Sequence, residues 1–256
     1  MNSMNMNQTG VEKAMNYLDQ ICTKKSELPA NSLKIDPAYK DLQVMCNYRR
    51  LRFTRRFNNL PTITTEDVAQ HSFFTTILAR TMAEEYNEAV QRHNLQVHPY
   101  DVDNAWDKVN VDQVTVQALY HDIEESFTSD IPWNVKHHNE EVNTAIKHAT
   151  WDKLKAIYKG CSPIIEKQMS TNISAKLGLE GKFVAVADMM ECAWECHQEE
   201  HLGNKYLQSM KLKAIQEINE MEFSKVLYDT SPLFKSMMKM FEGRTARIAC
   251  DEMELD

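Results

Sequence analysis

The chain punctuates itself sparingly: 6 glycines and 7 prolines are spread over 256 residues, whereas average usage puts the two together at roughly 12% of positions. Tight turns are therefore few, and the long stretches between them favour helices over hairpins. Apolar residues recur at three- and four-residue steps, no segment alternates as a half-buried strand does, and no repeat or low-complexity tract breaks the pattern. With 43% hydrophobic and 26% charged residues, the composition is that of a globular chain with a sizeable core. The expectation is an all-α helical bundle, one domain with helical extensions at its N- and C-terminal ends.

Thr9-Gly10-Val11-Glu12 has the form of a capping box, and Val11, Met15, Leu18, Ile21 and Cys22 follow it on one face. A first helix and a polar linker thus fill residues 1–36. Asp36-Pro37 supplies an N-cap and a first helical position for a second helix reaching about Arg52, and residues 58–65 read as a loop. Ala69, Ser72, Phe73, Thr76, Ile77 and Met82 trace the inner face of a third helix ending near His93. Residues 94–110 are the least patterned internal stretch and read as an exposed excursion. Asn110 then caps a short buried helix whose stripe is Val111, Val114, Thr115, Ala118, Leu119 and Asp122, delivering His121 and Asp122 at its last turn or just beyond. Further helices are predicted over 138–159, 162–178, 181–201, 204–220 and 231–242. Met82, Met189, Met190, Met210, Met237, Met238 and Met240 read as core or interface filler.

Lys and Arg number 29 against 37 Asp and Glu, a net charge of −8, so the basic footprint of a protein that grips a nucleic-acid polymer is missing. One basic island, Arg49-Arg50-Leu51-Arg52-Phe53-Thr54-Arg55-Arg56, runs against that background and has the charge to hold a small anion, or else is a solvated helix end. No run approaches the length of a membrane span, and the start MNSMNMNQTG lacks the apolar and basic features of a secretion signal. A cytoplasmic protein with no membrane partner is expected, and its six cysteines then read as reduced, packed thiols. Cys192, Cys196 and His197 lie close enough on a helix to be drawn as a metal clamp, but zinc sites usually pair cysteines through short turns and need a fourth ligand.

No glycine-rich phosphate cradle and no nucleophile elbow can be assembled from Gly10, Gly160, Gly178, Gly181, Gly203 and Gly243. A chain that handles phosphate without such loops leans on arginine and on a metal ion. Three helical segments place possible ligands at inward positions: His71, the pair His121-Asp122, and Asp188 at the end of the apolar run Phe183-Val184-Ala185-Val186-Ala187. A carboxylate there is costly to bury unless a cation or hydrogen-bond donors meet it; singly, His71 reads equally as a core histidine and Asp188 as an internal ion pair. Two imidazoles and two carboxylates suit one divalent first-row ion such as Mn or Co, with Mg also possible, better than an all-oxygen calcium site. Glu125, three residues after Asp122, points into the same pocket if the turn stays helical and can then relay a proton; otherwise it is a surface carboxylate.

The ordered His71, His121-Asp122 and Asp188 resemble the pattern of the HD-domain metal-dependent phosphohydrolases, an all-helical fold. The similarity is closer to the 5'-deoxynucleotidases of the YfbR type. Their signature resembles the run from His121 through Asp130-Ile131-Pro132-Trp133 to Lys136, and their upstream arginine motif resembles Arg56-Phe57 followed by Glu66-Asp67-Val68-Ala69-Gln70-His71-Ser72. The resemblance covers about residues 47–200, within an HD-domain unit of 37–256. It implies that His71, His121, Asp122 and Asp188 bind the metal, that Glu125 assists the attacking water or the leaving group, and that Arg56 orients the phosphate. Phe57 stands where the family usually has Trp, and with Asp130, Ile131, Pro132 and Trp133 it would line the sugar pocket. The shorter Phe57 makes strict deoxyribose selectivity less secure than phosphatase activity. The implied function is hydrolysis of deoxyribonucleoside 5'-monophosphates to deoxynucleoside and inorganic phosphate, by a homodimer whose contacts would come from the extensions. The rivals are a deoxynucleoside triphosphate triphosphohydrolase on the same scaffold, for which Lys136 and His137-His138 leave room, and a nucleotide-binding helical module without chemistry.

Overall fold

The structure, a computed structural model, describes residues 37–97, 104–132, 140–167 and 177–243. The helix expected from Thr9 to Cys22, Trp133, Lys136 and His137-His138 lie outside these residues. Among the described residues the elements are helices and their connections, without a strand. The first, α1 (Pro37–Tyr48), does not run on to Arg52 as expected; it tightens into a 3-10 turn, Arg49–Phe53, that buries Leu51 and leaves Arg50 and Arg52 in solvent. There follow α2 (Val68–Asn94), α3 (Val111–Tyr120), a single turn α4 (Glu125–Thr128), α5 (Glu140–Tyr158), α6 (Gly178–His201), α7 (Gln208–Glu220), α8 (Glu222–Thr230) and α9 (Pro232–Phe241). Residues 163–167 are also helical, part of the helix expected over 162–178.

The two long helices α2 and α6 pack on each other and on α3, and α7 to α9 close over them. Met82, Val114, Phe183, Met190, Ile218 and Phe234 meet in this main core. A smaller cluster joins Val44 of α1, Leu51, Ile123, Leu154 and Tyr158. The C-terminal helices are thus part of the core. The α8 segment escaped the sequence reading; Ser231 separates it from α9 by capping the latter, accepting from Phe234 N at 3.1 Å ahead of Pro232.

Two expected helix faces are rotated. On α2 the buried stripe is Val68, His71, Ser72, Thr75, Ala79 and Met82, while Phe73 and Ile77 are 56% and 48% exposed. On α3 it is Val114, Gln117 and Ala118, with Leu119 45% exposed. Both inner faces carry polar side chains and lead to a histidine, so a count of apolar residues alone draws the face toward the wrong side.

Candidate active site

The antiparallel bridge between Arg55 and Asp67 brings two distant parts of the site together. Arg56 N donates to Glu66 O at 3.1 Å and Val68 N to Thr54 O at 2.9 Å, which fixes the arginine segment beside the start of α2. Asp67 caps that helix: its Oδ1 accepts from Gln70 N at 2.9 Å, and Gln70 Oε1 accepts from Asp67 N at 3.1 Å. His71 follows on the first turn. Asn110 starts α3 in the same way, accepting from Gln113 N at 3.0 Å. The helix ends at Tyr120, so His121 and Asp122 come just beyond its last turn, and the chain re-enters a helix with Glu125 first. Asp188 sits in the middle of α6 beside the buried Val184 and Ala187.

These elements bring one ligand atom each from His71, His121, Asp122 and Asp188 within 4.8 Å of one another. His71 Nε2 lies 3.2 Å from Asp188 Oδ1, 3.5 Å from Asp122 Oδ2 and 3.2 Å from His121 Nε2; His121 Nε2 lies 3.1 Å from Asp122 Oδ2 and 3.7 Å from Asp188 Oδ1. The far nitrogens are held elsewhere. His121 Nδ1 bonds Ala118 O at 2.8 Å and His71 Nδ1 meets Glu191 Oε2. Each ring is therefore anchored through Nδ1 and turns its Nε2 to the common centre, as metal-binding imidazoles do. Burial opposes a charge on His121, but the neighbouring Asp122 and Asp188 outweigh it and push the imidazole up to about 10. The centre thus demands positive charge, which a proton or a divalent cation among the four can meet. The donor set and its anchoring fit a metal ion.

Arg56 leaves the basic island and turns inward, while Arg49, Arg50, Arg52 and Arg55 stay exposed. Its NH1 donates to Glu191 Oε2 at 2.9 Å, its Nε lies 3.8 Å from Glu195 Oε2, and its guanidinium stands 5.3 Å from the Phe57 ring centre. Glu66 joins Glu191 and Glu195 in a carboxylate cluster; burial, then the hydrogen bond to Glu195, pushes the Glu66 carboxyl well above the usual carboxylate range. Phe57 adopts a left-handed backbone, φ 49°, and Ser129 does so too, φ 59°. Between them Asp130 Oδ2 accepts from Phe57 N at 3.0 Å and Asp130 O from Asn58 Nδ2 at 3.0 Å, which locks the arginine loop to the segment after α4.

A cavity of about 650 Å³ opens from this centre. Arg56, Phe57, Asp122, Glu125, Asp130, Ile131, Pro132 and Asp188 line it, and so do Tyr206, Ser209, Met210, Lys213 and Glu217 from α7 and the loop before it. Glu125 is buried at 5% exposure with the cavity in front of it. The Cys192, Cys196 and His197 clamp does not form: Cys196 packs with Phe57 and Leu207, and the His197 ring packs on His201 and Phe241.

The family described as 5'-deoxynucleotidase YfbR-like matches residues 44–237. The chain belongs to this family. The YfbR-like match runs well past the residue-200 limit of the sequence resemblance and takes in α7, α8 and most of α9. A 5'-deoxynucleotidase of Pasteurella multocida, PM0747, is 31% identical over 98 residues, 38% of this chain and 43% of that protein. A 5'-deoxynucleotidase of Vibrio vulnificus, VV1113, is 27% identical over 93 residues, 36% of this chain and 40% of that protein. The chain thus matches less than half the length of either curated relative. Among solved structures, an HD-domain phosphohydrolase from Listeria innocua superposes with a TM-score of 0.58 at 23% identity, covering 79% of this chain and 92% of that one. The PH0347 protein of Pyrococcus horikoshii does so at 0.55 and 19%, covering 78% and 99%. These two establish the YfbR-like chain's helical fold.

Sequence reasoning passed over Glu191, Glu195 and Glu199. The signal was present: with Asp188 they recur at steps of three and four along α6, so they share the inner face of a helix whose neighbouring residues are apolar.

Proposed function

We propose that the protein is a divalent-metal 5'-deoxynucleotidase that hydrolyses deoxyribonucleoside 5'-monophosphates to deoxynucleoside and inorganic phosphate. The observation that carries this reading is the convergence of two Nε2 atoms and two carboxylates at a cavity that also holds Arg56, Glu125 and Phe57. In this reading His71, His121, Asp122 and Asp188 hold the ion. When bound, it supplies charge neutralisation at the phosphoryl oxygens and makes a water more acidic. Arg56 binds and orients the phosphate through the guanidinium donors that Glu191 leaves available. Glu125 takes the proton of the attacking water as the new P–O bond forms, and returns a proton to the 5'-oxygen as the ester bond breaks. Phe57, Asp130, Ile131 and Pro132 wall the sugar.

The triphosphohydrolase reading has one observation in its favour, Lys213 in the same cavity. Against it, among the described residues five carboxylates line that cavity, Asp122, Glu125, Asp130, Asp188 and Glu217, beside the two cations Arg56 and Lys213. One divalent ion leaves such a lining short of the positive charge that a triphosphate needs. A cytoplasmic setting is part of the proposal, in keeping with the free thiols Cys46, Cys161, Cys192 and Cys196; no described helix is long and apolar enough to cross a membrane. So is a homodimer.

The deciding experiment is a panel of ribo- and deoxyribonucleoside 5'-monophosphates with dATP as comparison, assayed with Mn, Co, Mg and other divalent ions and scored as phosphate or triphosphate released. Chelator-sensitive phosphate release from deoxy monophosphates is the expected result. Binding without release would make the protein a nucleotide-binding module. Glu125→Ala should lose turnover while retaining metal; unchanged turnover would remove Glu125 from the mechanism.

A further inference from the structure

One carboxylate oxygen is shared between the metal-facing histidine and the arginine. Glu191 Oε2 accepts from His71 Nδ1 on one side and from Arg56 NH1, at 2.9 Å, on the other. A carboxylate oxygen has two acceptor directions, and here both are used. Glu191 is buried on α6, one turn after Asp188, so the same rigid helix carries a candidate ligand and the oxygen that orients its neighbours. We propose that Glu191 is a positioning residue that couples metal binding to phosphate binding. It fixes His71 as the Nδ1–H tautomer, with Nε2 aimed at the ion, and it fixes the guanidinium plane of Arg56, a residue that lines the cavity.

The physical case rests on what each donor would do without that oxygen. A free imidazole divides its proton between two nitrogens, and a ring with the proton on Nε2 cannot ligate through it. An arginine released from Glu191 keeps the longer contact to Glu195, 3.8 Å, and the Phe57 ring at 5.3 Å, and regains rotamers that a bidentate grip on phosphate must give up. Glu195 touches Arg56 but not His71, which separates the two arms of the proposal. This inference rests on the metal-dependent reading of the site.

The test uses the full chain. Cobalt affinity is measured by calorimetry, the His71 tautomer by 15N chemical shifts, and kinetics at saturating metal with a deoxyribonucleoside monophosphate. Glu191→Gln, which keeps shape and one acceptor oxygen, should weaken cobalt binding by on the order of 10-fold, lower the Nδ1–H population of His71 and raise KM. Glu191→Ala should go further in the same direction. Glu195→Gln should raise KM while leaving cobalt affinity and the His71 shifts as in the wild type. In an Arg56→Ala background, Glu191→Gln should still weaken cobalt binding but no longer change KM. Cobalt affinity and tautomer unchanged in a folded Glu191→Gln protein would overturn the inference, as would a full KM effect persisting without Arg56. Should the wild type hydrolyse no mononucleotide, the functional reading fails, yet the cobalt and 15N measurements still decide whether Glu191 positions His71.

Discussion

Glu199 accepts from Ile63 N at 2.9 Å, Thr64 N at 2.7 Å, Thr64 Oγ1 and Asn204 Nδ2 at 2.6 Å. Asn204 Nδ2 also reaches Pro61 O at 2.8 Å. One buried carboxylate thus pins the loop between Arg56 and Glu66 to α6. Burial raises its pKa, but these donors outweigh burial and bring it from 4.5 down to about 2. A carboxylate depressed on folding contributes stability that is complete above its unfolded pKa and is lost as pH falls through its folded one. The urea midpoint of the wild type should therefore drop between pH 4.5 and about 2 more steeply than that of Glu199→Gln, which has no charge to lose. Parallel curves would show that Glu199 has no part in acid unfolding. At neutral pH, Glu199→Ala leaves buried donors without an acceptor and should cost about 3 kcal/mol.

Among elements, α6 and α7 divide the work of the cavity. The inner face of α6 carries Asp188, Glu191, Glu195 and Glu199, while α7, packed beside it, adds Ser209, Lys213 and Glu217 to the cavity wall at four-residue steps. A cavity of about 650 Å³ exceeds what a phosphate and a sugar fill, and the polar groups on α7 can meet the edge of a base. Lys213→Ala and Glu217→Ala should each change KM for mononucleotides by an amount that depends on the base, without changing turnover of 2-deoxyribose 5-phosphate, which has none. An equal loss on both substrates would place α7 against the phosphate instead. The matched family extends over this helix, whereas the sequence motifs stopped near residue 200, because a wall built from single residues on a surface helix has no motif.

For the molecule as a whole, the rotated face of α2 has a consequence. Phe73, Phe74 and Ile77, with Val116 and Leu119 on the adjoining α3, stand 38–56% exposed. Arg80, paired with Glu84 at 2.9 Å and near Asp112 at 3.6 Å, puts both signs of charge on the same two helices, as a self-complementary two-fold contact requires. For the homodimer proposed above, this is the face we propose a second copy covers. Light scattering should give twice 29.7 kDa for the wild type and the monomer mass for a Phe73→Glu, Ile77→Glu variant with unchanged circular dichroism; equal masses would place any dimer contact elsewhere.

Scarce glycine and proline and a three-to-four apolar period were enough to make the chain helical, because both act within a few residues of sequence. His71, His121, Asp122 and Asp188 could be picked out as candidates for the same reason: charged or imidazole groups beside apolar runs are expensive wherever the chain goes. Which way α2 and α3 face, and that Glu191 stands between His71 and Arg56, followed from packing between segments far apart in the chain, Glu191 being 120 and 135 positions from His71 and Arg56. Periodicity reports that a helix has an inner side; the partners that reach across the core choose which side it is.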